Sequence, residues 1–198
     1  IPELQLINQN LTDDIYKAME DADLEDDQID QVERLLGRNY HIITRKDRLD
    51  TIASDIVEHF MTRGHKGKAM VVSIDKATAL RMYEFVKVHW NNYKNTLISQ
   101  RDKEKDFLQK KVLENTIAFM EETDMSVIVS SSHNEVDHMK KLGLDIIPHR
   151  KRMINEEMEE KFQDPDDSFR IVFVCAMWMT GFNVPSCSTI YLDKPMKG

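Results

Sequence analysis

The sequence predicts an α/β fold with a parallel sheet, because short apolar segments alternate with amphipathic segments along the chain. Four segments are rich in Val, Ile and Phe and do not alternate with polar residues, which is typical of strands buried on both faces. These predicted strands are residues 69–74, 125–130, 170–175 and 188–193. Helical segments separate the first three, so the order indicates βα units rather than segregated helices and strands.

The helices are predicted from apolar residues that recur at three- and four-residue steps. One such face, over residues 47–63, consists of Leu49, Ile52, Ala53, Ile56, Val57 and Phe60. The same pattern predicts helices over Lys76–Trp90, Arg101–Glu122, Asn134–Leu142 and Met153–Phe162. Ser73 and Asp75 stand just before the second of these five helices and are natural N-cap residues.

The N-terminal part of the chain is predicted to be an acidic helical arm over residues 1–45, followed by a sheet domain over 46–198. Two amphipathic patterns, over 4–19 and 29–36, predict the helices of the arm. Residues 1–35 hold 11 acids and two bases, and the whole chain has a net charge of −8, so the remainder is close to neutral. The arm is expected to be a solvated connector, or else a segment that repels DNA or docks on a basic neighbour.

Length and composition exclude several classes of protein. The 198 residues suffice for one domain and an appendage, and 41% hydrophobic content supports a packed core. No apolar run approaches the roughly 20 residues that span a bilayer, and Cys175 and Cys187 have no metal-ligand spacing, so we expect a cytoplasmic protein with reduced thiols and no metal site. The first residue is Ile1 and the last is Gly198, so we expect a piece of a larger polypeptide.

A polar elbow follows the third predicted strand and carries the strongest functional signal. Thr180 can offer its hydroxyl and backbone N–H to a phosphate, and Gly181 lets another backbone approach closely. Ser73 ends the first predicted strand and would lie at the same edge of a parallel sheet. Two such hydroxyl loops could contact a phosphodiester backbone without reading bases. The alternative is that the elbow is a plain turn.

The segment FVCAMWMTGFNVPSCSTIYLDKPMKG, residues 173–198, resembles the motor segment of the R (restriction) subunit of type I restriction-modification enzymes. Those subunits show an apolar strand, then Thr-Gly-Phe-Asp-x-Pro, then Tyr-x-Asp-Lys-Pro. Upstream, residues 67–73 are similar to the opening of the second motor domain in the same family. The resemblance covers about residues 45–198, and the family belongs to the superfamily 2 ATP-dependent helicase-like motors.

The resemblance implies that residues 46–198 form the second of two RecA-like motor domains, truncated before the arginine motif of the family. It implies a DNA-backbone contact by Ser73, Thr180 and Gly181. It implies a position at the ATP cleft for Asn183, Asp193 and Lys194, with Asn183 standing where the family has Asp.

The resemblance also implies cofactors and partners. The intact subunit would bind ATP and Mg²⁺ through its first motor domain, and the fragment alone is expected to bind neither and to be inactive, because phosphoryl transfer needs a phosphate cradle, Mg²⁺ and an arginine together. No catalytic residue is expected in this chain. The expected partners are duplex DNA, the first motor domain of the same chain, and the specificity and methyltransferase subunits. The alternatives are another superfamily 2 motor, such as a repair helicase, and a non-catalytic α/β interaction domain.

Overall fold

The computed structural model describes residues 40–64, 67–175, 177–178 and 183–194, so most of the predicted arm lies outside the described residues. The helices in these ranges are α1 (Lys46–Thr62), α2 (Lys76–Lys103), α3 (Phe107–Glu122), α4 (Glu135–Lys141), α5 (Ile147–Asn155) and α6 (Met158–Gln163). The strands are β1 (Lys68–Ser73), β2 (Asp124–Val127), β3 (Phe169–Val174) and β4 (Cys187–Asp193). None of the described helices is long and apolar enough to cross a membrane.

The four strands form one sheet in the order β2-β3-β1-β4, and every neighbouring pair is parallel. In the register, Val71 of β1 lies opposite Phe173 of β3 on one side and Tyr191 of β4 on the other. Helices flank this sheet. The predicted α/β fold with a parallel sheet is therefore confirmed, and the arrangement is consistent with a RecA-like domain.

The two faces of the sheet bury different clusters, because alternate residues of a strand point to opposite faces. On one face, Ala69 and Val71 of β1 belong to the larger core, which α1, α2 and α3 cover. On the other face, Met70 and Val72 belong to a smaller cluster that includes Phe162 of α6. All six residues of β1 are buried, as expected for a central parallel strand.

Helix α2 is longer than predicted, since it runs to Lys103 rather than ending near Trp90. Tertiary packing explains the difference. The Trp90 indole donates a hydrogen bond to the backbone oxygen of Met120 on α3 at 3.1 Å, and Leu97 is buried farther along α2. Packing against α3 thus holds the Asn-rich segment that follows Trp90 in a helix, although its helix propensity is low.

The prediction of one helix over residues 153–162 is wrong, because the structure has two shorter helices, α5 and α6. Glu156 separates them with extended backbone angles, φ −123° and ψ 145°. Its carboxylate accepts hydrogen bonds from Arg152 at 2.9 Å and from Lys161 at 2.7 Å. Side chains from both helices therefore stabilise the non-helical conformation at Glu156. A prediction from the spacing of apolar residues cannot detect such ion pairs.

The prediction that the last strand is buried on both faces is also wrong. The residues of β4 alternate between partly buried and exposed, and Ile190 and Leu192 are 57% and 50% exposed. Within the described residues β4 is an edge strand that pairs only with β1. Only the β4 side chains that face α1 are covered. The apolar run that was predicted to be a fully buried strand is therefore half exposed at the edge of the sheet.

A buried histidine joins α5 to β2. The Nδ1 atom of His149 accepts a hydrogen bond from the backbone N–H of Val127 at 3.2 Å and lies 3.2 Å from the hydroxyl of Ser126. Tyr83 packs edge-on against the imidazole, with ring centroids 4.4 Å apart. Burial, followed by the positive charge of Arg152, lowers the pKa of His149 to about 4. The neutral ring is therefore part of the fold.

We expect the stability of the chain to fall as the pH decreases through the titration of His149. The unfolded chain binds a proton near pH 6.5 and the folded chain only near pH 4, so stability rises with pH between these values. From neutral pH to about pH 5 this histidine should account for a loss of about 2 kcal/mol. Urea unfolding at the two pH values measures the loss, and His149→Gln should remove it; an unchanged pH dependence in the variant would contradict this assignment.

Candidate functional site

The carboxyl ends of all four strands lie along one edge of the sheet, because the strands are parallel. In open α/β sheets this edge is where ligands bind. Ser73 and Asp193 end the paired strands β1 and β4 and are opposite each other in the register, with Lys194 next in sequence. The structure thus brings together three of the six predicted site residues. Thr180 and Gly181 lie outside the described residues.

Three polar groups near the end of β1 are buried and have no hydrogen-bond partner among the described residues. They are the Ser73 hydroxyl, the Lys76 ammonium and the Thr78 hydroxyl. Ser73 and Thr78 are 0% exposed and Lys76 is 6% exposed. A buried ammonium that lacks a hydrogen-bond partner or ion pair, as Lys76 does within the described part of the chain, is energetically costly. The sequence predicted Ser73 here but not Lys76, because a lysine in the first turn of a helix is usually solvated.

The N-cap of α2 is Asp75, as the sequence predicts. Its carboxylate accepts a hydrogen bond from the backbone N–H of Thr78 at 2.6 Å. The same carboxylate accepts a second hydrogen bond from the Tyr40 hydroxyl, and this contact is buried. Asp75 therefore fixes the start of α2 and also ties the segment before α1 to the carboxyl edge.

The Asp193 carboxylate forms an ion pair with Arg48 of α1. The two guanidinium nitrogens donate to the two carboxylate oxygens at 3.1 and 2.5 Å, and Arg48 also donates to the backbone oxygen of Ile43 at 2.9 Å. Bidentate pairs of this kind are strong and directional. In this structure Asp193 therefore anchors the end of β4 to α1. Sequence reasoning missed Arg48, which is separated from Asp193 by 145 residues.

Asn183 lies on the segment between β3 and β4. Its side chain is exposed, and it lies just before the turn in which the backbone N–H of Cys187 donates to the oxygen of Val184 at 3.0 Å. This turn leads into the amino end of β4, while Asp193 lies at the other end of the same strand. Asn183 thus precedes β4 in sequence, while the other two residues that were predicted to face the ATP cleft lie at and directly after the end of that strand.

An arginine clamp holds the loop that follows β2. Arg150 donates to both carboxylate oxygens of Glu135, at 2.7 and 2.8 Å, and to the backbone oxygens of Val129 and Ser130, at 3.1 and 3.0 Å. Glu135 in turn accepts from the backbone N–H of Ser132 at 3.3 Å. This clamp fixes the carboxyl end of β2, and no single short motif could have revealed it.

Comparison with known proteins gives a consistent set of relatives. The MjaIXP type I restriction enzyme endonuclease subunit of Methanocaldococcus jannaschii is 26% identical over 98% of this chain. The HindI type I restriction enzyme endonuclease subunit of Haemophilus influenzae is 27% identical over 84% of it. The MjaVIIP endonuclease subunit of M. jannaschii is 27% identical over 94% of it. The chain is similar to type I restriction enzyme endonuclease subunits along most of its length.

These matches confirm the resemblance that the sequence motifs predicted. The chain spans 16% of the length of the MjaIXP subunit and 13% of the HindI subunit. No protein-family profile matches the chain, and no solved structure matches it.

Replacing Asp193 should destabilise the chain in the absence of any nucleotide, since its ion pair with Arg48 is part of the fold. The Asp193 side chain is only 9% exposed but that of Arg48 is 38% exposed, so solvent compensates part of the loss. We expect Asp193→Asn to lower the free energy of unfolding by about 1–2 kcal/mol. Urea unfolding of the nucleotide-free chain measures this change.

Asp102→Asn is the matched control, because the Arg101–Asp102 pair is between adjacent residues and the Asp102 side chain is 61% exposed. It should change the free energy of unfolding by less than about 0.5 kcal/mol. Equal stability of Asp193→Asn and the unmodified chain would show that Asp193 does not anchor β4.

Proposed function

We propose that this chain is part of the endonuclease subunit of a type I restriction enzyme and acts there as the second RecA-like domain of an ATP-dependent DNA translocase. The observation that carries the proposal is the agreement among relatives. All three matched proteins are type I restriction enzyme endonuclease subunits, and the matches cover 84–98% of the chain. The whole subunit would contribute to DNA cleavage, while this domain would contribute movement along DNA.

The architecture supports the motor part of the proposal. A parallel sheet flanked by helices presents the ends of β1 and β4 on one edge, with Ser73 and Asp193 side by side in the register. The proposed DNA contacts at Ser73, Thr180 and Gly181 would hold backbone phosphates and would position the duplex without reading its sequence. The buried ammonium of Lys76 would add positive charge next to this edge.

The Ser73 hydroxyl is 0% exposed, so contact with a phosphate requires the groups that cover it to move. In the proposed cycle, DNA contact at this edge alternates between a closed state, such as the one described, and an open one. The energy for the alternation would come from the nucleotide cleft between this domain and the preceding motor domain.

The fit to ATP and Mg²⁺ is partial in this chain. Among the described residues no three His, Cys, Asp or Glu side chains converge in a group that could hold a metal ion, so the proposal assigns Mg²⁺ and the phosphate cradle to the preceding domain. Asn183, with an exposed neutral amide, and Asp193 and Lys194 would face the nucleotide from this side. Phosphoryl transfer would then require both domains.

The proposed partners follow from the same assignment. Duplex DNA would lie along the carboxyl edge, and the first motor domain would lie across the nucleotide cleft. The specificity and methyltransferase subunits would deliver the DNA site. The described body has little net charge to attract DNA at long range, so these partners would supply much of the initial binding.

The test is Thr180→Ala, made in the full-length polypeptide, which would contain the preceding motor domain and the arginine motif expected after Gly198. Loss of one phosphate contact should raise the DNA concentration for half-maximal ATPase stimulation by about fivefold and slow translocation, while basal ATPase and folding stay unchanged. Ser73→Ala should have the same functional effect with little loss of stability, because its hydroxyl has no hydrogen-bond partner in the described part of the structure.

Thr96→Ala is the matched control, since Thr96 is exposed on α2 and donates only to the backbone oxygen of Asn92 within its own helix. It should leave DNA stimulation unchanged. If both Thr180→Ala and Ser73→Ala fold and retain full DNA-stimulated ATPase and translocation, the phosphate contacts are wrong. A polypeptide with no DNA-stimulated ATPase at all would favour a non-catalytic interaction domain.

A further inference from the structure

An open cavity of about 670 Å³ lies at the carboxyl edge beside β2, away from the ends of β1 and β4. The loop after β2, helices α5 and α6, and the residues after β3 form its walls. Cavities of this size accommodate a side chain or a small ligand. The proposed DNA contacts do not use it.

One wall of the cavity is apolar and consists largely of flexible side chains. It includes Met153, Met158 and Met177 with the Trp178 side chain. The Trp178 indole packs on Phe162 of α6, with ring centroids 5.7 Å apart and an angle of 30° between the rings. Methionine side chains adapt to the shape of a bound group, and a supported indole offers a flat face for a cation.

The rim of the cavity is negatively charged. Arg150 is neutralised by Glu135, and Glu156 by Arg152 and Lys161. The remaining charges are those of Glu157 and Glu159, both exposed. Among the described residues neither forms an ion pair, and Glu159 accepts only a hydrogen bond from the Gln163 amide, at 3.4 Å.

We propose that this cavity binds an arginine side chain from a basic segment of a protein partner. The guanidinium would stack on Trp178 and donate hydrogen bonds to the Glu157 and Glu159 carboxylates, and its apolar stem would lie along the methionines. Ser130 and Ser131, held in place through the Arg150–Glu135 clamp, add hydroxyl acceptors to the wall. Charge complementarity selects this occupant, because the two carboxylates repel phosphate.

Arginine fits the cavity better than lysine does. Its planar guanidinium can stack on an aromatic face and donate to two carboxylates at once, and it is more weakly hydrated than an ammonium. Arginine is also enriched among the residues that dominate binding energy at protein interfaces. The interaction is independent of the proposed motor function, since it uses neither Ser73 nor the elbow at Thr180.

The test uses N-acetyl-arginine amide as the probe and the indole N–H resonances of the ¹⁵N-labelled chain as the readout. The chain has two tryptophans, and Trp90 is an internal control because it is 5% exposed and its indole N–H is bonded to Met120. Trp178→Phe assigns the two peaks. We expect a saturable shift of the Trp178 peak alone, with a Kd on the order of 1 mM.

Two comparisons test whether binding depends on the charges of the probe and of the cavity. N-acetyl-citrulline amide, a neutral probe of the same shape, should bind more weakly by a factor of about five or more. High salt should lower the affinity for the arginine probe. The double variant Glu157→Gln with Glu159→Gln should also lose about fivefold. Its matched control, Glu58→Gln with Glu114→Gln, removes two exposed acids from other helices and should leave binding unchanged.

The proposal is overturned if the Trp178 peak does not move, if citrulline shifts it as strongly as arginine, or if the Glu157 and Glu159 variant binds as well as its control. It is also overturned if a short duplex DNA saturates the Trp178 shift while the arginine probe does not, because the cavity would then belong to a nucleic-acid surface. Circular dichroism of each variant confirms that it is folded.

Discussion

The complete burial of β1 is the constraint on which the rest of the structure depends. This strand pairs with β3 on one side and β4 on the other, and none of its six residues is exposed. A parallel strand in this position needs cover on both faces of the sheet. Helix α1, which precedes β1, and the helices that follow β1 and β2 supply that cover.

The two faces of the sheet are covered to different extents. Three helices, α1 to α3, close the face that carries Val71, and aromatic contacts between Phe60, Trp90 and Phe119 fill the space between them. The other face depends on the short helix α6 and on side chains after β3. Because that cover is thin, this face leaves Ile190 and Leu192 exposed, and a cavity remains at its carboxyl edge.

The sequence predicts the fold well because its strongest signals are local. Apolar runs and N-cap residues identified all four strands and most helices. The errors arise where distant groups decide the outcome. Packing against α3 extends α2, ion pairs at Glu156 split the predicted 153–162 helix, and an edge position exposes half of β4.

The candidate site could be predicted only in outline for the same reason. The motifs point to Ser73 and Asp193 as polar residues at strand ends, and the register places them together. They do not indicate that Arg48 holds Asp193 or that Tyr40 holds Asp75, because these partners are distant in sequence. Both contacts tie residues 40–48 to the same edge of the sheet.

These contacts divide the carboxyl edge into two chemically different halves. At the ends of β1 and β4 the polar groups are sealed, and the Asp75 and Asp193 carboxylates already have partners. At the end of β2 the edge is open and acidic. In the proposed arrangement the phosphate backbone of DNA would avoid the acidic half and would lie near the buried Lys76 at the other half. The proposed arginine would find its counter-charges in the open half, so the proposed anionic and cationic partners would occupy one edge without competing.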